Sequence, residues 1–290
     1  MRVKKGITKR KRVRSMRKKR GGGNMTLAVV AIFKNEAMII REWIEHNIWQ
    51  GVDKILLLDN NSTDDWKDKI KGIEDKLDII DAPKAHAQID NYNELALPWL
   101  KKNKIDVMTI IDIDEYWFGK DGKKLKEIVV DIFSATPRPS KVYCKWIMFG
   151  SSGLKDQPKS IRKSFTMRED GEDCCNGKAI VWVNDIVPNG MDIHSTNVGE
   201  GLQVPCPENL QINHYGVMSK EYFKRAKQLR GDAFFARTWR PWSEFYNRDR
   251  NQRKNAGLAE QVKGGGEKKF AIVHEYFRKG KPVDELHLRG

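Results

Sequence analysis

The sequence predicts an α/β fold with a mostly parallel central sheet and flanking helices. Three observations carry that expectation. Short apolar runs rich in β-branched residues alternate with segments of helical spacing between residues 26 and 113, the pattern of repeated βαβ units. The runs are apolar on both faces, as in strands covered from both sides. Polar clusters follow three of the runs directly, at the carboxyl ends where parallel sheets bind ligands.

The elements follow in order. Thr26–Phe33 is a continuous apolar run and reads as the first strand. Lys34-Asn35-Glu36 is a polar loop. Ile39, Ile40, Trp43, Ile44, Asn47 and Ile48 then mark one face at helical spacing, and Gly51 stands where a helix C-cap is expected. Lys54–Leu58 is a second strand, closed by Asp59-Asn60-Asn61-Ser62-Thr63-Asp64. Leu77–Ile80 is a short third strand and Gln88–Lys101 a helix. Val107–Ile113 is a fourth strand running into Asp112-Ile113-Asp114-Glu115. Beyond it the pattern loosens. Lys141–Phe149 and Ala179–Val183 read as strands, and Glu208–Tyr215 leads to a helix near Lys220–Arg230.

Composition narrows the function classes. The 290 residues hold 54 Lys and Arg against 39 Asp and Glu, a net charge of +15. Twelve of the basic residues lie in positions 1–20, which hold no acid, so the other 270 residues carry 42 basic against 39 acidic groups. The body is nearly neutral, and the nucleic-acid signal belongs to an arm over residues 1–24 that ends in Gly21-Gly22-Gly23. Such an arm suits an anionic membrane surface or nucleic acid. Nine Trp and eleven Phe exclude a mainly disordered chain. Leu27–Phe33 is the longest apolar run near the N-terminus, far short of a membrane span. With no export signal following the arm, a soluble, cytoplasmic protein is expected. Cys144, Cys174, Cys175 and Cys206 make no Cys-x-x-Cys pair and are expected to be reduced thiols.

Asp112 and Asp114 close an apolar strand, and residues i and i+2 of a strand point the same way. Two carboxylates side by side repel unless a cation stands between them, and hard oxygen ligands suit Mg²⁺ or Mn²⁺, which also take phosphate oxygens from a substrate.

Taken together, Lys34-Asn35-Glu36, Trp43-Ile44-Glu45-His46, Gly51-Val52-Asp53, Asp59-Asn60-Asn61-Ser62 and Asp112-Ile113-Asp114-Glu115-Tyr116 resemble nucleotide-sugar glycosyltransferases of the family 2 type. The subgroup most similar is that of the family 92 β-galactosyltransferases. Trp146-x-x-Phe149-Gly150-Ser151-Ser152-Gly153 and Asn213-His214-Tyr215 with Ser219-Lys220 also look like that subgroup. The resemblance covers roughly residues 25–230.

The resemblance implies a GT-A fold over residues 25–240, with a Rossmann-like nucleotide-binding half (25–118) and a mixed acceptor half (119–240), followed by a polar C-terminal extension (241–290). It implies a donor site at Phe33, Asn35, Glu36, Asp59, Gln88, Asn93, Asp112 and Ile113, with Glu36 and Asp59 near the uracil and ribose. It implies Mn²⁺ or Mg²⁺ held by Asp112, Asp114 and His214, His194 competing with His214 for the third position. An inverting enzyme needs a base for the acceptor hydroxyl. Glu172, Asp173 and Asp192 lie in the acceptor half, and Asp192 is taken as the base. The Glu-Asp base motif usual in family 2 enzymes is missing.

Other residues divide between packing and binding. Trp43 and Trp49 read as helix-face packing residues. Trp146, Phe149, Trp182, Trp239 and Trp242 are candidates for a sugar-stacking platform or the core. Lys178 and Lys220 could neutralise phosphate. Arg237, Arg240, Arg248, Arg250 and Arg253 could face an anionic acceptor or water. The Asn-x-Ser/Thr sequons at Asn60 and Asn61 sit inside the expected donor loop, where a glycan would obstruct binding. That fits a chain outside the secretory pathway, of bacterial or viral source.

The expected function is metal-dependent transfer of a sugar, with inversion, from a UDP-linked donor to a hydroxyl of a glycan, glycoprotein or glycolipid acceptor. The alternative is a non-enzymatic nucleic-acid-binding protein acting through the arm. A sugar nucleotidyltransferase would need a Gly-rich loop after the first strand, and Lys34-Asn35-Glu36 has no Gly.

Overall fold

β1 (Leu27–Phe33) lies at the centre of the parallel half of the sheet, with β2 (Lys54–Asp59) on one side and β4 (Val107–Ile110) on the other, both parallel to it. β3 (Leu77–Asp81) extends the sheet parallel to β2. The computed structural model describes residues 25–171, 176–230 and 239–263. Leu27, Ala28, Val29, Val30 and Ala31 are fully buried. Alternate side chains of β1 enter two separate apolar clusters, one on each face of the sheet. Burying each Val or Leu contributes about 1.5–3 kcal/mol, and covering both faces explains the unbroken apolar run.

Beyond β4 the sheet turns mixed. β8 (Gly177–Trp182) pairs antiparallel with β4, and β6 (Lys141–Met148) antiparallel with β8. β10 (Leu210–His214) runs parallel to β6 and antiparallel to β5 (Glu115–Gly119), and β9 (Gln203–Pro205) pairs parallel with β6. The order is 3-2-1-4-8-6-10-5. The parallel strands gather on one side of the sheet and the mixed pairings on the other, a mostly parallel α/β sheet as expected. Gly177 is where β8 meets β6 most tightly: a Cβ there would stand 2.0 Å from the Cys144 carbonyl oxygen. β7 (Met167–Arg168) pairs with β11 (Arg253–Lys254) in a small second sheet.

Helix Ile40–Trp49 buries Ile40, Trp43, Ile44, His46 and Asn47, and Gly51 follows with φ +84°. A long helix spans 88–102 and another 220–230; each contains one widened turn, at Tyr92–Ala96 and Phe223–Lys227. The all-buried strand β5 and helix Leu125–Phe133 were not expected. Past residue 240, Phe245, Leu258 and Val262 are buried, and Asp249 Oδ1 accepts the Ser151 N–H at 2.6 Å. The described part of the C-terminal segment therefore packs on the body. Among the described residues no helix is long and apolar enough to cross a membrane. The arm (1–24), Glu172, Asp173, Cys174, Cys175, Arg237 and residues 264–290 lie outside the described residues.

Two expectations need correction. Cys144 and Cys206 form a disulfide, with their Cα atoms 4.7 Å apart. The β6–β9 register, with Tyr143 opposite Pro205, brings the two cysteines side by side one residue further on. They are not the reduced thiols expected from a sequence with no Cys-x-x-Cys pair. The fourth strand ends at Ile110 rather than Ile113, so Asp112 and Asp114 stand on a turn between β4 and β5 and not on one strand face.

Candidate functional site

The 111–114 turn is held from three sides. The indole Nε1 of Trp43, buried on helix 40–49, donates to the carbonyl oxygens of Asp112 and Glu115, each at 3.0 Å. The Glu115 carboxylate accepts the Asp112 N–H at 3.0 Å. The Asp114 carbonyl accepts the Tyr215 N–H at 2.9 Å, just after β10. Trp43, which reads as a packing residue, also shapes the turn that presents both aspartates.

Each aspartate faces its own lysine. Lys178 is fully buried on β8, and its Nζ donates to Asp112 Oδ2 at 3.1 Å and to the Ile193 carbonyl at 3.0 Å; it stands 3.3 Å from Glu115 Oε2. Burial alone would lower its pKa, but Asp112 and then Glu115 outweigh that and hold it above the ordinary lysine value. Glu115 behaves oppositely. Burial raises its pKa well above the usual carboxylate range, Asp112 and Asp114 add to the rise, and Lys178 only partly offsets it. Its Oε1 is buried without a hydrogen-bond partner.

Asp114 Oδ2 accepts from Lys227 Nζ on helix 220–230 and lies 3.6 Å from His214 Nε2, at the end of β10. Burial would raise the Asp114 pKa, but Lys227 and His214 outweigh it and hold the carboxyl well below its ordinary range. Asp112 keeps 34% of its side chain exposed while Asp114 keeps 4%, so Asp112 is the carboxylate open to a ligand from solvent.

The other strand ends knit together beside this centre. Asn35, at φ +54°, takes Thr63 N–H on its Oδ1 at 2.7 Å and donates its own N–H to Ser62 Oγ at 3.0 Å. Asp59 Oδ1 accepts the Ser62 N–H at 2.9 Å. Glu36 is buried, and its Oε2 accepts the Tyr222 hydroxyl at 2.6 Å, which ties helix 220–230 to the loop after β1. Phe33 packs edge-on against Trp66, and Ile113 is buried in the same cluster. Both side chains sit in the core, which leaves only their backbones for ligand contact. Gln88 donates to the Tyr92 hydroxyl at 3.1 Å. Asn93 clamps the 191–196 loop through both Met191 backbone groups, at 3.0 and 3.1 Å. The amides of Asn60 and Asn61 donate to carbonyls of Ala82 and Pro83.

On that loop, Asp192 Oδ1 accepts the N–H groups of His194 (2.8 Å) and Ser195 (3.0 Å). Burial would raise its pKa, but these donors outweigh it and the carboxyl is lowered. Burial, then Lys178, lowers the His194 pKa. Trp146 packs against the imidazoles of His214 (centroids 4.5 Å apart) and, edge-on, His194 (5.3 Å).

Lys227 and Tyr222 carry no local sequence signal, since a lysine and a tyrosine on a basic helix read as surface. Lys220 instead faces Tyr246 at 3.4 Å. Arg240 and Arg248 pair with Glu244, and Arg250 with Glu169. Trp182 stacks with Arg138 and Phe133, and Trp242 packs with Phe223 and Phe245; Trp239 is half exposed.

The donor set can be weighed for Mn²⁺ or Mg²⁺. Among the described residues no three His, Cys, Asp or Glu groups gather into a ready metal centre. Asp114 beside His214, with Asp112 exposed nearby, offers oxygen and imidazole donors that fit a divalent ion arriving with phosphate oxygens to complete its shell.

No family model matches the chain. A protein of Oryza sativa named as a family 92 glycosyltransferase is 25% identical over 260 residues, 84% of this chain and 40% of its own length. One of Arabidopsis thaliana with the same family name is 22% identical over 260 residues, 81% of this chain and 42% of its own. This chain is similar to family 92 glycosyltransferases. It spans about two fifths of the length of these relatives, so the family 92 likeness, and the resemblance read from the motifs, concern that portion. Among solved structures, glucosyl-3-phosphoglycerate synthase of Mycobacterium tuberculosis with Mn²⁺, UDP and glucosyl-3-phosphoglycerate overlaps 89% of this chain and 81% of its own, at 14% identity and TM-score 0.36. A Bacillus anthracis thymidylyltransferase named as acting on glucose-1-phosphate overlaps 72% and 98%, at 11% identity and TM-score 0.42. Overlaps this loose carry no argument, and the fold rests on the sheet order.

Proposed function

We propose that the chain is a nucleotide-sugar glycosyltransferase that takes a UDP-linked donor and transfers its sugar to a hydroxyl acceptor with inversion. The observation that carries this reading is the gathering of Asp112, Asp114, His214, Lys178 and Lys227 beyond the carboxyl ends of β1, β2 and β4. It is supported by the likeness to plant proteins named as family 92 glycosyltransferases. Such a centre suits a substrate with concentrated negative charge. In sugar transfer the acceptor oxygen bonds the anomeric carbon, and the bond from that carbon to the β-phosphate oxygen breaks with its electron pair left on the diphosphate.

Asp114, with His214 and Asp112, would hold a divalent ion. When bound, that ion supplies Lewis-acid stabilisation of the charge on the leaving diphosphate. The chain's own residues do the rest. Trp43 fixes the aspartate turn, Lys178 holds Asp112 and the 191–196 loop in one arrangement, and Asn93 anchors that loop to helix 88–102. Asp192 is the proposed base for the acceptor proton. Its two backbone donors orient the carboxylate and reduce its basicity. Asn35 and Asp59 brace the loops that would receive the nucleoside.

The test is release of UDP from a panel of UDP-sugars with Mn²⁺, by wild type and by Asp114→Asn. The proposal expects metal-dependent release that the variant lowers by about a hundredfold or more. Equal release by a variant that melts like wild type would reject the site. Inversion is read from the anomeric configuration of the product.

A further inference from the structure

The pairing of Lys227 with Asp114 raises a question of charge. A divalent ion at Asp114 and the Lys227 ammonium compete for the same oxygen, Oδ2. We propose that Lys227 is a diphosphate-binding residue of the donor site, a resident cation that leaves Asp114 for the β-phosphate when a nucleoside diphosphate binds. The inference rests on the glycosyltransferase reading above and deepens it.

Four observations converge. Lys227 is 6% exposed, so an ammonium displaced from Asp114 is not simply released to water and must find another anion nearby. Its backbone is fixed: the Tyr222 hydroxyl ties helix 220–230 to Glu36, and the Ser219 side chain caps the helix by accepting the Tyr222 N–H at 3.0 Å. Movement is therefore left to the four-carbon stem, which suits lysine as a mobile point charge for phosphate. Lys227 is also the last residue of the widened turn Phe223–Lys227, a helix irregularity frequent at functional sites. Lys178 offers the contrast: its Nζ is fixed by Asp112, Glu115 and the Ile193 carbonyl, whereas among the described residues Lys227 Nζ is bonded to Asp114.

In the transfer step Lys227 keeps its protons. It faces the β-phosphate oxygen that receives the electron pair of the broken sugar–phosphate bond, and so it offsets charge that grows along the reaction. The same residue lets a diphosphate bind without metal, because one cation is already present.

Calorimetric binding of UDP and UMP, with EDTA and separately with Mn²⁺, tests this in wild type, Lys227→Gln and Lys227→Arg. Glutamine keeps a donor toward Asp114, and melting curves report whether each variant folds. The proposal expects wild type to prefer UDP over UMP in EDTA. Lys227→Gln should lose about tenfold or more of its UDP affinity while UMP changes little, and Lys227→Arg should keep the preference. Mn²⁺ alone should bind Lys227→Gln more tightly than wild type, since no ammonium has to be displaced. A folded Lys227→Gln that binds UDP as wild type does overturns the proposal. If that variant does not fold, wild type decides: equal affinity for UDP and UMP in EDTA overturns it. Wild type that binds neither nucleotide in either condition takes the glycosyltransferase reading down as well. UDP binding without the Lys227 dependence removes this inference alone.

Discussion

Replacing Lys178 with methionine would leave Glu115 buried without a cation and Asp112 without its partner. Lys178 and Glu115 are both fully buried and stand 3.3 Å apart, with Asp112 Oδ2 at 3.1 Å from the same ammonium. Removing one member of a buried ion pair costs about 3–5 kcal/mol, because the remaining charge has lost the partner that offset its desolvation. At about 2–4 °C per kcal/mol for a protein of this size, the melting temperature should fall by roughly 6–20 °C. The loss should depend on pH in a set direction. Glu115 has a folded pKa raised by burial above its unfolded value, so between those values the folded chain binds more protons and stability falls as pH rises. Without Lys178 that rise is larger, so the deficit should be greatest near neutrality and shrink as pH falls toward the ordinary carboxylate range. Adding Glu115→Gln should restore most of the loss. The amide oxygen can still accept the Asp112 N–H, and the neutral pair leaves no fully buried charge unmatched, since Asp112 keeps contact with water. The assay is urea unfolding of the four members of the cycle at neutral and mildly acidic pH. A Lys178→Met deficit below about 1 kcal/mol, or a double variant no more stable than additivity gives, would refute this account of the centre.

Other outcomes follow from the same contacts. Tyr222→Phe removes the hydroxyl bound to Glu36 and should cost about 1.5–3 kcal/mol in urea unfolding; a loss of a few tenths would show that this contact does not hold helix 220–230. Reducing the Cys144–Cys206 bond opens a 62-residue separation, and loop-closure entropy puts the loss at about 4 kcal/mol; thiol titration of the denatured chain before and after reductant should differ by two groups. Asp114, held below its ordinary pKa, stabilises the fold above the unfolded carboxylate value, and that contribution drains away as pH falls below about 4; Asp114→Asn should flatten the acid limb of a stability–pH curve.

The parallel half of the fold was legible because its strands are covered on both faces. An unbroken run such as Leu27–Phe33 has few other places to go, and the polar residues after each strand fall at the edge where parallel sheets commonly bind ligands. Asp112 and Asp114 do follow an apolar strand, but that strand stops at Ile110, and Trp43 and Glu115 hold the chain after it in a turn. What holds those aspartates was less visible. Lys178 stands beside the apolar run of β8, and a lysine there signals a buried partner that spacing cannot name. Lys227 carries no local signal at all: it is one basic residue among several on its helix, and its burial comes from Asp114, 113 positions away. The Cys144–Cys206 bond likewise depends on the β6–β9 register, which no local pattern fixes.

The most direct test of the central claim is calorimetric binding of UDP and GDP, with and without Mn²⁺, to wild type and to Asp114→Asn. The account predicts that Mn²⁺ strengthens UDP binding, that GDP binds more weakly, and that Asp114→Asn loses the metal enhancement while melting as a folded protein. Absence of nucleotide binding under every condition, or a metal enhancement that survives in Asp114→Asn, would contradict it.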